Sequence, residues 1–193
     1  MAKLQSTPLL EAIRELFDRE AARIEVPREP IKVYIAGGAA VHFWTRARVS
    51  TDVDAEFSTR YVPGEDIVLY RASNGEELPV YIDRQYNPMF ALLHENYQVN
   101  AVPVGADLGG GRAFDIRVLA PVDLAISKLG RWAGHDQEDV MSLAVMGLVD
   151  PDELRARANE ALATAVGLNP RMVAVNLAEA VAHVRRLHPA PSA

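Results

Sequence analysis

The sequence of 193 residues contains no cysteine, which excludes disulfide bonds, thiolate zinc sites and thiol nucleophiles. No apolar run approaches the roughly 18 residues of a membrane-spanning helix, and the charged N-terminus lacks the apolar core of a signal peptide. Basic residues are outnumbered by acidic ones, 20 against 26, which gives a formal net charge of −6. These absences predict a soluble, cytoplasmic protein with no membrane partner and no generally basic surface for nucleic acid.

Two widespread ligand-binding signatures are also missing. The chain has no Gly-Lys-Ser or Gly-Lys-Thr of a P-loop, and its five histidines form no His-Glu-x-x-His pattern. A P-loop nucleotide site and a zinc hydrolase site are therefore not expected.

The length suits one domain, or one domain with a small helical appendage. Strand-like and helix-like segments alternate in the first part, and from Pro121 onward the pattern is helical. We therefore predict an α/β (α+β) domain over residues 1–120, with an N-terminal helix at 6–24, and a helical region over residues 121–193 that packs on it.

Apolar spacing and turn residues predict the individual elements. Strands are expected in runs rich in β-branched and aromatic residues, at 31–36, 52–57, 78–83 and 113–120. Helices are expected at 39–46, within 87–97, and in four segments that begin at residues 121, 136, 150 and 169. Glycines predict a turn over 106–113, and residues 188–193 are expected to be a frayed tail.

A pair of carboxylates is the first candidate for a functional site. Asp52 and Asp54 are separated by one residue, and in a continuous strand they would project from the same face, about 6.5–7 Å apart. Two such carboxylates repel unless a cation lies between them. Mg²⁺ (or Mn²⁺) suits these oxygen ligands, and substrate phosphates can complete its coordination. The alternative is a solvated strand end.

A glycine pair precedes these aspartates. Gly37 and Gly38 follow a predicted strand and open a helix, an order that lets backbone N–H groups approach phosphate oxygens closely. Arg46 and Arg48 lie between the glycines and the aspartates, where they would stand near phosphate. The alternative for the glycines is an ordinary strand–helix turn. The alternative for the arginines is a salt bridge to Glu56.

The segment GGAAVHFWTRARVSTDVD resembles the signature of the DNA polymerase beta-like nucleotidyltransferase superfamily. The later segment VLAPVDLAISKLGRWAGHDQEDV is similar to a conserved stretch of minimal bacterial nucleotidyltransferases, which include the AbiEii-type toxins of toxin–antitoxin systems. The resemblance implies a nucleotidyltransferase fold, with a small mixed β-sheet flanked by helices and followed by a C-terminal helical bundle.

The resemblance also implies roles for particular residues. Gly37 and Gly38 would bind the phosphates of an NTP, and Asp52 and Asp54 would bind Mg²⁺, with Ser50 or Thr51 assisting. Lys128, in the second segment, would neutralise charge on the triphosphate. A third acidic residue is expected in the superfamily, and the candidates are Asp136, Asp139, Asp115 and Asp83. Alternatively, Lys128 lies on an exposed helix face, and Asp136 and Asp139 are ordinary acidic residues of a helix start.

The implied reaction is transfer of a nucleoside monophosphate from an NTP to an RNA (such as tRNA) or protein acceptor. A toxin opposed by a cognate antitoxin is part of the same expectation. Two other classes stay open: a catalytically silent binding or antitoxin module that retains the fold, and a metal-dependent glycosyltransferase that uses the Asp-x-Asp pair.

Overall fold

The computed structural model describes residues 6–104 and 108–187, and in this part of the chain it contains seven α-helices and two small mixed β-sheets. The predicted α/β class is therefore confirmed. The chain divides into two compact units, the first from the described residues of Met1–Tyr86 and Ala101–Leu119, the second from those of Asn87–Asn100 and Ala120–Ala193. Among the described helices, none is long and apolar enough to cross a membrane.

The first unit opens with helix α1, Pro8–Ala22, close to the predicted 6–24. The Thr7 side chain caps it by accepting a hydrogen bond from the Leu10 N–H at 3.3 Å. Pro8 takes a first-turn position, where a missing N–H leaves no helical bond unmade. The apolar face is buried at Leu9, Leu10, Ile13, Leu16 and Phe17.

The larger sheet contains strands β1 (Ile31–Ile35), β3 (Ala55–Phe57), β6 (Val102–Pro103) and β7 (Phe114–Val118), in the order β3-β1-β7-β6. Strand β1 lies parallel to β7, while β3 and β6 pair antiparallel with β1 and β7 respectively. Val33, Tyr34 and Ile35 are consecutive buried residues of β1, as expected for a strand that is covered on both faces.

The smaller sheet contains strands β2 (Asp52–Val53), β4 (Val68–Arg71) and β5 (Glu77–Ile82), in the order β2-β5-β4. Strand β2 is parallel to β5, and β4 is antiparallel to it. Helix α1 packs against β4 and β5, so its apolar face closes the core on this sheet. Strands β4 and β6 lie outside the four predicted strands.

The prediction of one continuous strand over 52–57 is wrong. Strand β2 ends at Val53 and β3 begins at Ala55, so Asp54 lies between two strands of different sheets. The physical reason is pairing: the β2 residues pair with β5, whereas the β3 residues pair with β1. Asp52 and Asp54 are therefore not neighbours on one face of a regular strand.

Helix α2 spans Gly37–Thr45 and begins two residues earlier than the predicted 39–46. Both glycines consequently lie in its first turn. At the other end Arg46 adopts φ 62° and its N–H donates to the His42 carbonyl, a left-handed helix end that glycine or asparagine more often provides.

In the second unit, the predicted helix within 87–97 is wrong. A 3₁₀ turn, Pro88–Phe90, is followed by irregular chain and then by helix α3, Tyr97–Asn100. The Asn87 side chain accepts from the Met89 N–H, and Ala91 has extended backbone. This local capping ends the turn before a longer helix can form.

Four further helices make up the bundle of the second unit: α4 (Pro121–Ser127), α5 (Gly134–Val145), α6 (Pro151–Thr164) and α7 (Pro170–Leu187). Asp150 caps α6 by accepting from the N–H groups of Asp152 and Glu153. Helices α4, α5, α6 and α7 pack on one another around buried Leu124, Leu143, Leu154 and Val181. The predicted helical bundle is confirmed.

The predicted glycine turn is present in its described part, where Gly109, Gly110 and Gly111 all have positive φ. Ala106 and Asp107 of that prediction, and the whole predicted tail at 188–193, lie outside the described residues.

Candidate functional site

The glycine pair forms the junction between β1 and α2. Gly37 adopts φ +59°, a conformation that glycine reaches without strain. A Cβ at this position would lie 1.8 Å from Asp54 Oδ2. Glycine is favoured here for two reasons: the positive φ is unstrained in glycine, and a carboxylate lies against the backbone of the helix start.

The second glycine faces the segment that precedes the aspartates. A Cβ at Gly38 would lie 2.7 Å from Ser50 Oγ and 3.7 Å from Arg48 Nε. The Ser50 side chain is buried, and its hydroxyl lies 3.0 Å from the Asp52 carbonyl oxygen and 3.2 Å from Asp52 Oδ1. Ser50 thereby connects the first turn of α2 to one of the two carboxylates.

The start of α2 carries no side-chain cap, because Ala36 occupies the N-cap position. The first N–H groups of an α-helix have no intrahelical partner, and the helix dipole adds partial positive charge there. Glycine occupies the first two helical positions, so these residues place no side chains of their own over the N–H groups. This end of α2 has the backbone features of a phosphate-binding turn.

Asp52 belongs to β2 and Asp54 lies at the switch between the two sheets, and both are half-buried. The Asp54 carbonyl accepts from the Ala36 N–H at 2.8 Å, which holds Asp54 beside the end of β1. Thr51, immediately before β2, is exposed, and its carbonyl accepts from the Tyr81 N–H at 3.2 Å. The predicted glycines, Ser50 and the aspartate pair are thus brought together within the first unit.

The donor set of this site fits a hard divalent cation. Two carboxylates supply oxygen ligands of the kind that Mg²⁺ takes, and Mg²⁺ is commonly bound by one or two carboxylates with substrate phosphates and water. Among the described residues, no group of three His, Cys, Asp or Glu side chains is arranged to hold a metal ion. The fit therefore rests on two protein carboxylates rather than three.

Asp83 lies at the same sheet edge as Asp54. Strands β2 and β5 are parallel with Val53 opposite Ile82, so the residues that follow them, Asp54 and Asp83, continue in register. The Asp83 N–H donates to the Val53 carbonyl at 3.0 Å, while Asp83 Oδ1 accepts from the Gln85 N–H at 2.8 Å. Of the predicted third carboxylates in the first unit, Asp83 is the one beside the aspartate pair.

Asp115 lies elsewhere on the larger sheet. It is opposite Lys32, near the beginning of β1, whereas the glycine pair follows the end of that strand. Its Oδ2 accepts from two guanidinium nitrogens of Arg117, at 3.0 and 2.9 Å. Asp115 therefore lies three strand positions before the end of the sheet where the glycine turn follows β1. Its cationic partner is Arg117.

The loop before the aspartates is held by residues that the sequence pattern did not single out. His42 is buried, with Nδ1 2.5 Å from the Arg48 carbonyl oxygen and Nε2 2.7 Å from Thr7 Oγ1. The Tyr70 hydroxyl donates to the Ser50 carbonyl at 2.9 Å. Thr-Pro marks a helix cap in the sequence, but no sequence signal links Thr7 to His42 or Tyr70 to this loop.

The lowered pKa of His42 favours the neutral ring, and the two contacts suit that form. Nδ1–H donates to the Arg48 carbonyl, and Nε2 accepts from the Thr7 hydroxyl, which also accepts from the Leu10 N–H. Burial lowers the pKa of His42, the bond to the Arg48 carbonyl raises it, and the charge of Arg46 lowers it, with a net decrease. His42 thus acts as an uncharged brace between the start of α1 and the loop 46–50.

Lys128 and two predicted acidic residues form a separate cluster in the second unit. Lys128 Nζ lies 2.8 Å from Asp139 Oδ2 and 3.9 Å from Asp136 Oδ1, and all three side chains are buried. Lys128 is the C-cap residue of α4 and is buried, so it is not on the exposed face of a helix. The lysine has its charge compensated by the two carboxylates.

Asp136 also binds Arg131. The guanidinium donates to both carboxylate oxygens, at 2.7 and 2.8 Å, and the Ala133 N–H donates to Oδ2 at 3.0 Å. Burial raises the pKa of Asp136, but the hydrogen bonds from Arg131 and Ala133 and the charges of Arg131 and Lys128 outweigh it, so this pKa lies below its ordinary value. The arrangement is that of an ionised carboxylate at a helix start.

Comparison with known proteins gives one result. The family model described as "Nucleotidyltransferase of unknown function (DUF6036)" matches residues 12–185. No curated protein and no solved structure matches the chain significantly.

Proposed function

The chain belongs to the DUF6036 family of nucleotidyltransferases, and from this premise we propose that it transfers a nucleoside monophosphate from an NTP to an acceptor, with release of pyrophosphate. The proposed site consists of the glycine turn at the start of α2, formed by Gly37 and Gly38, together with Asp52 of β2 and Asp54 at the sheet switch.

One observation carries this proposal. The Asp54 carboxylate fills the space of a Gly37 Cβ, at 1.8 Å from its ideal position, so a phosphate-binding turn and a metal-binding carboxylate share one small volume. A phosphate bound by the helix N–H groups would then lie beside a carboxylate-held cation. Nucleotidyl transfer requires this proximity, because its catalysis consists mostly of positioning and charge stabilisation.

The residues of the proposed site have different roles in nucleotide binding. The backbone N–H groups of Gly37 and Gly38 bind phosphate oxygens, and Ser50 orients Asp52 through its buried hydroxyl. Arg48 lies near Gly38 and stabilises negative charge on the phosphates. Thr51, exposed beside Asp52, contacts the bound nucleotide.

Mg²⁺, or Mn²⁺, would be held by Asp52 and Asp54 and would supply charge neutralisation at the triphosphate. The two carboxylates bind and orient it, and the half-buried setting limits competing water. Asp83 follows β5 in register with Asp54, and we propose that it supports this pair without binding the metal itself. For Lys128, Asp136 and Asp139, their mutual ion pairs favour a structural role over direct contact with the triphosphate.

We further propose that the acceptor is RNA, such as tRNA, or protein, and that the chain is the toxin of a toxin–antitoxin pair with a cognate antitoxin. The support is the resemblance of its two motifs to minimal bacterial nucleotidyltransferases. The formal net charge of −6 favours brief contact with an RNA over stable binding along its length.

Calorimetric titration of each NTP, with and without Mg²⁺, tests the proposal. We expect Mg²⁺-dependent binding by the wild type and its loss in the Asp52→Asn/Asp54→Asn double variant. Asp115→Asn is the matched control, since it removes a half-buried carboxylate away from the turn and should leave NTP binding unchanged. Transfer of label from an α-³²P-labelled NTP to total RNA or protein then identifies the acceptor class.

A catalytically silent nucleotide-binding module is the second candidate. It is favoured by one observation: the described residues contain no three-carboxylate metal group. NTP binding without any label transfer to RNA or protein would select this candidate. Absence of NTP binding to the wild type would contradict both.

A further inference from the structure

A cavity of about 360 Å³ lies in the first unit, away from the aspartates. Its walls come from the start of α1, the last turn of α2 with the loop 46–49, and the end of β4 with residues 72 and 73. Neither the glycine pair nor Asp52 or Asp54 lines it. The proposed nucleotidyl-transfer site therefore does not account for this cavity.

The charged residues in the described part of the cavity wall are arginines. Arg46, Arg48 and Arg71 line it, and no aspartate or glutamate is among the described residues of its wall. Arginine keeps its charge at any physiological pH, so an occupant that carries negative charge is favoured here.

Arg46 is half-buried and lines the cavity. Its Nη1 is buried and has no hydrogen-bond partner within the described part of the chain, and its guanidinium lies over the Phe43 ring, 5.2 Å from the centroid. Burial lowers the pKa of Arg46, because the guanidinium is partly removed from water. An anion in the cavity would compensate the charge of this half-buried guanidinium.

The remaining wall is largely apolar. Pro8, Leu9, Val49 and Ala72 contribute hydrocarbon surface, and Val49 is 41 % exposed. An inorganic anion would leave this apolar surface exposed to water, whereas a ligand with an apolar body would bury it.

We propose that this cavity binds a small phosphate monoester with an aromatic or aliphatic body, its phosphate on Arg46 and Arg71 and its body on Pro8, Leu9 and Val49. Phosphate is favoured over carboxylate because a dianion can accept from several guanidinium groups at once. The inference goes beyond the proposed function, because it needs neither Mg²⁺ nor the aspartates. Arg48 also lies near Gly38, so the test has to separate the two sites.

The test is an NMR titration of ¹⁵N-labelled protein with phenyl phosphate in the absence of divalent cations. We expect saturable shifts at the amides of Ala47, Val49 and Ala72. Affinity should fall about tenfold or more in Arg46→Gln and in Arg71→Gln, because each loses a hydrogen bond to a charged group. Arg60→Gln is the matched control, since Arg60 is exposed and is not part of the cavity wall.

Further arms make the outcome decisive. Benzyl alcohol and inorganic phosphate should each bind more weakly than phenyl phosphate, since each lacks one half of the proposed ligand. Ala47→Phe adds bulk at the exposed cavity wall without changing charge and should abolish binding. It provides an independent test in case Arg46→Gln does not fold. The Asp52→Asn/Asp54→Asn variant should bind phenyl phosphate like the wild type, whatever its affinity for NTP.

Three results would overturn the inference. The first is shifts confined to Gly37, Gly38 and their neighbours, which would place phenyl phosphate on the glycine turn. The second is wild-type affinity in Arg71→Gln and Ala47→Phe. The third is equal affinity for benzyl alcohol, which would make the cavity a purely apolar site.

Discussion

The Asp54 carboxylate lies against the Gly37 backbone so closely that a Cβ on Gly37 would be 1.8 Å from Oδ2. Asp54 stands between two strands of different sheets, and Gly37 is the first residue of α2. The contact therefore joins three elements at one point: the end of β1, the sheet switch and the helix start. The proposed nucleotide site depends on this junction.

Substitution of Gly37 tests the junction directly. Gly37→Ala should weaken Mg²⁺-dependent NTP binding about 10- to 100-fold, because displacing Asp54 removes a charge-assisted contact worth about 1.5–3 kcal/mol. Calorimetry measures this change. Gly111→Ala is the matched control: it has nearly the same φ, +55° against +59°, and nothing within 4 Å of an added Cβ.

Both glycine variants should lose stability by about 1–2 kcal/mol, since alanine is strained at positive φ. Only Gly37→Ala should also lose nucleotide affinity. If both variants bound NTP like the wild type, the Gly37–Asp54 contact would have no role in the site.

The two remaining acidic candidates of the first unit make a paired comparison. Asp83→Asn should lower Mn²⁺ affinity about 10- to 100-fold, as is typical for residues that support metal ligands, because Asp83 continues in register with Asp54. Asp115→Asn should leave Mn²⁺ affinity unchanged, since Asp115 is paired with Arg117. Electron paramagnetic resonance of free Mn²⁺ gives both affinities. The reverse order would assign the third acidic role to Asp115.

The buried ion pairs of Lys128 predict an effect on stability. Lys128→Met should lower the free energy of unfolding by about 3–5 kcal/mol, because it removes the cation that lies 2.8 Å from the buried Asp139 carboxylate. Lys32→Met, at an exposed position, is the control and should change little. Urea denaturation measures both.

A double variant separates a structural role of Lys128 from a ligand-binding one. Lys128→Met/Asp139→Asn removes the cation with its nearest carboxylate and should recover much of the lost stability. Wild-type NTP affinity in this variant supports the structural role, whereas a lasting loss of NTP affinity would assign Lys128 to the triphosphate.

His42 predicts a dependence of stability on pH. Its pKa is lowered in the folded protein, chiefly by burial, while the unfolded chain titrates near the ordinary value of about 6.5. The stability that neutral His42 contributes is therefore complete above about pH 6.5 and is lost as the pH falls below it, since the unfolded chain binds the proton first.

Melting temperatures at pH 7.5 and pH 5.5 test this expectation. The decrease on acidification should be smaller in His42→Asn, in which an amide can still donate to the Arg48 carbonyl but does not titrate. The groups that face His42 are Thr7, Arg46 and the Arg48 carbonyl, and none of them titrates in this range. An equal decrease in both proteins would assign the effect to other groups.

Much of the local structure follows from sequence pattern. The order of strand, glycine pair and helix is correctly predicted, because β-branched residues, glycines and helix formers act through the nearest neighbours. Helices α6 and α7 begin within one residue of their predicted starts at 150 and 169, since proline and a capping residue mark each start.

The helix predicted within 87–97 failed for a local reason, the Asn87 cap, whereas two other differences concern contacts between distant segments. The strand predicted at 52–57 is divided at Asp54 because its two halves pair with different partners, β5 and β1. The brace between Thr7 and His42 joins residues 35 positions apart. No local pattern encodes either choice.

The sequence by itself determined which chemistry is available: a glycine pair at a helix start, two nearby aspartates, and no thiol. The tertiary structure alone decided how these groups are used. It placed Asp54 on Gly37 and Asp83 beside Asp54, and it buried Lys128 among carboxylates. The physical reason is that backbone conformation depends mainly on adjacent residues, whereas strand pairing and burial depend on which distant segments exclude water together.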